Sequence, residues 1–297
     1  MTGFSDYVAK NHLNYLAGLG AEPSLTGGTW LALFTAMGTD ANSGFTEISA
    51  GGYARVQISG SVTTNGTTAS GNATLHFASV PSWVVAGMTI VDLTSGSVIP
   101  AGTTILSTTS TTVTMSANAS GAGVGGADSI GFSAYSASTG TSPSSIVSVA
   151  DAKLPQSTAD WTANGASPVL GWGVFDAASS GNLLYSDYLG NYPWLPCEIS
   201  SASPGVLTAK AHGYAANDSI VFSTEYGGTA PTFSQSNLTG VLAVVSPATD
   251  TFTVTNGGTA VNTSSTGSGM VRKVTKQPIP INTTYTFSAG NLSLVSA

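Results

Sequence analysis

Along the whole chain, short apolar runs of strand length alternate with clusters of Gly, Pro, Asn, Asp, Ser and Thr. One early segment departs from this pattern. Phe4, Tyr7, Val8, Leu13, Tyr15 and Leu16 recur at roughly helical spacing, Ser5-Asp6 can serve as an N-cap, and Gly18 and Gly20 end the run. Such a helix packs its apolar stripe on its own sheet or, standing ahead of the sheet, on a neighbouring subunit. Residues 30–35 (WLALFT) then read as a strand buried on both faces, and 53–58 (YARVQI) as a half-buried strand entered through Gly51-Gly52. Residues 146–154 form one extended segment that ends at Pro155. Residues 169–175 and 182–188 flank a Gly-containing turn and read as a hairpin. Trp161, Trp172 and Tyr185 give this stretch an aromatic payload that belongs in a core, together with Phe175. Near the C-terminus, 285–287 and 292–295 are expected to return two short strands to the first sheet.

Two stretches interrupt this pattern. Between residues 60 and 127 Thr, Ser and Gly dominate, with apolar runs at 73–77, 88–93, 103–106 and 112–115. Between 196 and 271 further runs occur at 205–208, 219–222, 241–245 and 251–254, separated by polar turns. Each set reads as a compact β unit. The fold class is therefore mainly all-β: a discontinuous β-sandwich or barrel-like core of residues 1–59, 128–195 and 272–297, with one N-terminal helix and two inserted small β modules, 60–127 and 196–271. Insertion between strands is tolerated because the cost of closing a loop grows slowly with its length.

Composition narrows the function. Only 7% of residues are Asp, Glu, Lys or Arg, against roughly 25% in an average soluble protein. The formal net charge is −7, so the positive stripe that would displace counterions from nucleic acid is missing. The one basic group, Arg272, Lys273 and Lys276, reads as a solvated strand end rather than a phosphate site. No run approaches the ~18 apolar residues of a membrane helix, and MTGFSDYVAKNHLNYLAGLG lacks the basic start, apolar centre and cleavage site of a signal peptide. Synthesis in the cytoplasm and delivery by assembly, without membrane insertion, are the expectation.

Candidate chemistry is sparse. Cys197, the single cysteine, lies in Trp194-Leu195-Pro196-Cys197-Glu198 and reads as a buried, inert thiol. His12, His76 and His212 fall in three separate segments without metal-ligand spacing. There is no GxSxG elbow, no DxDxDG calcium loop and no β-helix repeat. Asp176 reads as a turn residue whose carboxylate caps backbone amides, and Asp187 and Asp250 as turn or edge residues. The expectation is a non-enzymatic protein with no catalytic, cofactor-binding or metal-binding residues and no cofactor.

Three separated pieces carry a resemblance: FSDYVAKNHLNYLAG with TWLALFTAM and GGYARVQIS; LPQSTADW with GWGVFDAASSGNLLYSDYLG; and PIPINTTYTFSAGNLSLV. In that order they resemble small tailed-phage virion proteins usually labelled phage tail fibre proteins, over roughly half of the chain. Trp161, Phe175, Asp176, Ala177, Gly181, Asn182, Leu183 and Leu184 match closely. The first interruption, with GMTI and GSVIPAGTTI, resembles a Thr/Gly-rich module of phage surface proteins. The second resembles a small β-barrel module that recurs in phage particle proteins. The resemblance implies a structural protein on the outer surface of a virion, made in the host cytoplasm. The expected role is capsid decoration: a cement protein, as a homotrimer bound to the major capsid protein or other virion proteins. The alternative is a tail or head fibre that binds a host-surface glycan or receptor through the insertions, which exposed aromatics such as Trp83 or Tyr226 would favour.

Overall fold

The computed structural model describes residues 3–20, 27–39, 42–49, 51–138, 145–161, 168–225 and 227–295. The fold is almost entirely β, with one helix among the described residues; one sheet curls into a half-barrel and another closes into a barrel.

The large sheet has eight strands. Its order runs Gly3–Phe4, Leu183–Tyr188, Gly171–Phe175, Thr29–Ala36, Val56–Thr63, Ser129–Ser133, Thr89–Asp92, with Thr46–Glu47 added to Thr29–Ala36. Its centre is the apolar run of Thr29–Ala36, in which Leu31, Ala32, Leu33 and Phe34 are all buried. Successive side chains point to opposite faces of a strand, so this run feeds two clusters. Leu31 and Leu33 join the main core with Trp172 and Val174, while Ala32 and Phe34 meet Phe175 and Leu183 on the other face. The hairpin of Gly171–Phe175 and Leu183–Tyr188 forms as the alternation predicts, with Gly171 opposite Tyr188.

The C-terminal strands do not return to this sheet. Thr284–Phe287 pairs with Ala152–Gln156, and Ser293–Val295 with Ser145–Val147, as two separate antiparallel ladders. Ala152, Leu154, Phe287 and Leu292 bury in the main core, so the ladders pack on the face of the large sheet that carries Leu31 and Leu33. The segment 146–154, expected to be one strand, is thus two, broken at residues 148–151.

The N-terminal helix, Asp6–Leu16, is capped by Ser5, whose Oγ accepts from the Val8 amide (3.4 Å) and donates to the Leu183 carbonyl (2.5 Å). Tyr7 and Val8 pack against the main core, yet no helix residue is fully buried. Ala9, Leu13 and Leu16, at helical spacing i, i+4, i+7, all face solvent; Leu13 is 65% and Leu16 67% exposed.

The interruptions behave differently. Residues 195–274 carry their own sheet, in the order Leu207–Thr208, Leu195–Ile199, Gly267–Lys273, Ser219–Ser223, Leu242–Val245, Thr251–Asn256, Thr259–Ala260; a further pairing of Leu207–Thr208 with Thr251–Asn256 closes it. Its core, built on Leu207, Ile220, Leu242, Val244, Phe252 and Val271, is separate from the main one. The expected boundaries at 196 and 271 fall inside the first and last long strands of this barrel, which pair with Leu195 opposite Val271. The first interruption shares both sheet and core with the rest. Val56–Thr63 runs across the boundary at 60, Thr89–Asp92 pairs with Ser129–Ser133, and Leu75, Met88, Ile90 and Val113 belong to the main cluster. The change of texture at residue 60 marks a change of polarity along a continuous strand.

Candidate functional site

The residues of the sequence motifs converge, and together they make a clamp. The Tyr53 hydroxyl donates to Glu47 Oε1 (3.0 Å) and accepts from the Leu33 amide (2.9 Å). Burial, reinforced by the Glu47 charge, pushes that phenol well above its ordinary range. Arg55 grips the same carboxylate with Nε on Oε1 (2.9 Å) and Nη2 on Oε2 (2.7 Å), and its Nη1 donates to the Ala177 (3.0 Å) and Ser180 (2.7 Å) carbonyls. Its guanidinium lies 3.5 Å over the Phe175 ring. The GGYAR segment is thereby tied to the FDAASSGN turn. Within that turn Asp176 accepts from the Asn182 amide and from Asn182 Nδ2, both at 2.7 Å. Gly181 has φ +77°, and a Cβ there would lie 2.5 Å from Asp176 Oδ1. Gly51, at φ +66°, lets its carbonyl accept from Trp161 Nε1 (2.8 Å), and Trp161 stands edge-on to Tyr53. Trp161, Trp172 and Phe175 are all buried. Glu47, Tyr53, Arg55, Trp161, Asp176 and Asn182 are thus engaged in holding the motif together.

A second constellation joins the barrel to the large sheet. Arg272 forms an ion pair with Asp187 and is 3% exposed. Its guanidinium lies 6.0 Å from the Tyr188 ring and 5.8 Å from the Trp194 ring. The solvated strand end expected at Arg272 is therefore a buried junction, because the last barrel strand carries this side chain against the neighbouring sheet. Lys273 beside it pairs with Asp218 (2.8 Å) and stands 5.5 Å over the Tyr192 ring. Burial pushes the Tyr188 phenol up to about 12, against the pull of Arg272.

Next to this junction a cleft of about 510 Å³ opens between the loop holding Gly38 and Thr39 and the barrel. Tyr188, Trp194, Phe222 and Phe233 supply four rings to its wall, and Glu225 and Asn237 supply polar groups. Trp194 and Tyr188 meet edge to face at 6.4 Å. Asn237 Oδ1 accepts from the Thr239 amide (3.1 Å), the Thr239 hydroxyl (2.7 Å) and Asn256 Nδ2 (3.2 Å), which fixes the orientation of its amide. Reading along the sequence misses this cleft: Trp194 stands out only as a neighbour of Cys197, and its companions come from strands and loops far apart in the chain. Trp83 is half-buried and edge-on to Phe132 within the main core rather than displayed. Tyr226 lies outside the described residues.

The remaining candidates are scattered. Cys197 is buried in the barrel, and burial pushes its thiol up to about 12. His12 and His76 are exposed; His212 is buried, its Nδ1 accepting from the Tyr214 amide (2.8 Å). Asp250 accepts from the Ala211 amide in a turn (2.8 Å). Among the described residues no three His, Cys, Asp or Glu side chains gather as metal ligands, and no helix is long and apolar enough to cross a membrane.

Residues 3–116, less than half of the chain, match the family model described as Podophage GP4 fiber I protein gp80. No curated protein and no solved structure matches the chain. The matched span holds the helix, the strand Thr29–Ala36, the GGYAR segment and most of the first interruption. The match supports a structural protein of a tailed phage, of fibre type.

Proposed function

We propose that this tailed-phage structural protein is a fibre subunit that attaches to the particle through its N-terminal end and holds the closed barrel outward to meet a host-surface glycan or receptor. The observation that carries this is the placement of two unlike surfaces. The helix presents the unpartnered apolar stripe of Ala9, Leu13 and Leu16, and the barrel is joined to the large sheet around the Arg272–Asp187 pair. Exposed apolar stripes mark contact surfaces, and like helices brought together by a closed symmetry axis cover such a stripe at small cost. A homotrimer joined through the helices accounts for the stripe and gives three barrels per assembly. The family match over residues 3–116 adds to the fibre reading.

Capsid decoration is the second reading, favoured by the compact core and the lack of a long fibrous repeat. A cement protein would bind assembled major capsid protein and stabilise it by linkage. Locating and counting the protein on purified particles separates the two. Density on the tail or its fibres in a few tens of copies fits the proposal, whereas a regular coat over the head in hundreds of copies overturns it.

A further inference from the structure

We infer that the cleft between the Gly38–Thr39 loop and the barrel is a saccharide-binding site for an uncharged pyranose, a hexose or an N-acetylhexosamine; the biological source of the sugar rests on the fibre reading above, but the binding itself does not. The chemistry of the wall carries this. Tyr188, Trp194, Phe222 and Phe233 bring aromatic surface, whereas Leu238 and Ala230 are the aliphatic residues there. An aliphatic groove suits a peptide helix; rings suit the C–H face of a sugar, which packs flat on an aromatic while its hydroxyls point outward to polar groups. Those polar groups are in place. Glu225 brings a carboxylate, which only accepts. Asn237 has its Oδ1 occupied by Thr239 and Asn256, so the group it offers a ligand is its Nδ2, a donor. Thr39, Thr224 and Thr239 add hydroxyls. Paired acceptors and donors of this kind suit a hydroxyl, which gives one hydrogen bond and receives others.

Charge decides which sugars fit. Among the described residues no Lys or Arg lines the cleft, Arg272 behind it pairs with Asp187, and the chain carries a net charge of −7. A sialylated, uronic or phosphorylated glycan would bring its anion against the Glu225 carboxylate, a like-charge contact. The volume of about 510 Å³ lies within the roughly 300–1,000 Å³ of small-ligand sites. An open, single-sided cleft binds one sugar weakly, and an oligomer recovers affinity by engaging several at once.

The test titrates the intact protein with neutral di- and trisaccharides of hexose and N-acetylhexosamine, and with sialylated and phosphorylated counterparts, using saturation-transfer NMR and tryptophan fluorescence. Saturable millimolar binding of at least one neutral probe, little or none of the acidic ones, and a loss of about tenfold or more in Glu225→Gln and Asn237→Asp is the expected result. Both positions are exposed, and an aspartate at 237 keeps the oxygen that accepts from Thr239 and Asn256, so thermal melts of the variants should match the parent. Failure of every neutral probe, preference for the acidic probes, or binding indifferent to both substitutions overturns the inference. The fibre reading is judged separately by location on the particle: sugar binding by a protein found coating the head refutes that reading and leaves this site standing, and a fibre-located protein with an inert cleft does the reverse.

Discussion

At the scale of single residues, Arg55 shows how a motif can be legible while its purpose is not. The pairing of GGYAR with FDAASSGN is visible in the sequence, but nothing in either string says that one guanidinium serves Glu47, two turn carbonyls and the Phe175 ring at once. Removing it takes both guanidinium hydrogen bonds from the part-buried Glu47 carboxylate, leaving it the Tyr53 hydroxyl, and strips the turn carbonyls of this donor. Arg55→Ala is expected to destabilise the fold by about 3–5 kcal/mol, and Arg55→Lys to recover little of that, since an ammonium cannot reproduce the planar fork. Urea unfolding of both variants measures this. Trp172, correctly legible as core from its apolar setting, predicts a loss of about 3–5 kcal/mol on truncation to Ala; an unchanged melting temperature would contradict its burial. Arg272 and Trp194 were beyond the reach of local pattern, because their surroundings come from Asp187 and Tyr188 in another sheet. Cys197 gives a chemical readout. Burial pushes its thiol up to about 12 from the ordinary 9.0, so the protonated thiol favours the fold below pH 9 and that contribution fades as pH rises toward 12. At pH 8 the thiol should resist a disulfide reagent such as DTNB in the native protein and react fully in denaturant; fast native labelling would refute its burial.

Elements were legible where one strand fills one apolar run. Residues 112–115 and the hairpin of 169–188 come out close to their sequence bounds, since alternation and a Gly-containing turn determine them locally. The partners of strands were not legible. The C-terminal pair was expected in the large sheet and instead forms ladders with Ala152–Gln156 and Ser145–Val147, because pairing across more than a hundred residues leaves no trace in periodicity. The helix was legible in position and cap, and its two-sidedness settles into a division of labour: Tyr7 and Val8 toward the core, Leu13 and Leu16 toward water. Since those leucines contribute little to their own subunit, Leu13→Ser with Leu16→Ser is expected to leave the urea midpoint of dilute protein nearly unchanged. In sedimentation velocity at rising concentration the same variant should remain monomeric while the parent associates. A parent that is monomeric throughout would rule out assembly through this face.

For the whole molecule, the two interruptions predict opposite outcomes on removal. Excising residues 197–270 and joining the ends with a short Gly-Ser linker deletes a separate core and should leave a cooperative domain, because Leu195 and Val271 already face each other across one ladder. Excising 64–128 strips Leu75, Met88, Ile90 and Val113 from the main cluster and should cost most of the cooperative transition; calorimetry of the two deletions compares them directly. The polarity of the sequence made both stretches look detachable, and only the sharing of side chains between cores tells them apart. The rung at Leu195 and Val271 has a consequence for descent as well as for folding. A gene segment that begins and ends at neighbouring points in space can be exchanged in frame without disturbing the rest of the product. The large sheet and the barrel are thus free to follow separate genealogies, and a gene can acquire a new barrel by recombination while the rest of the domain stays as it was.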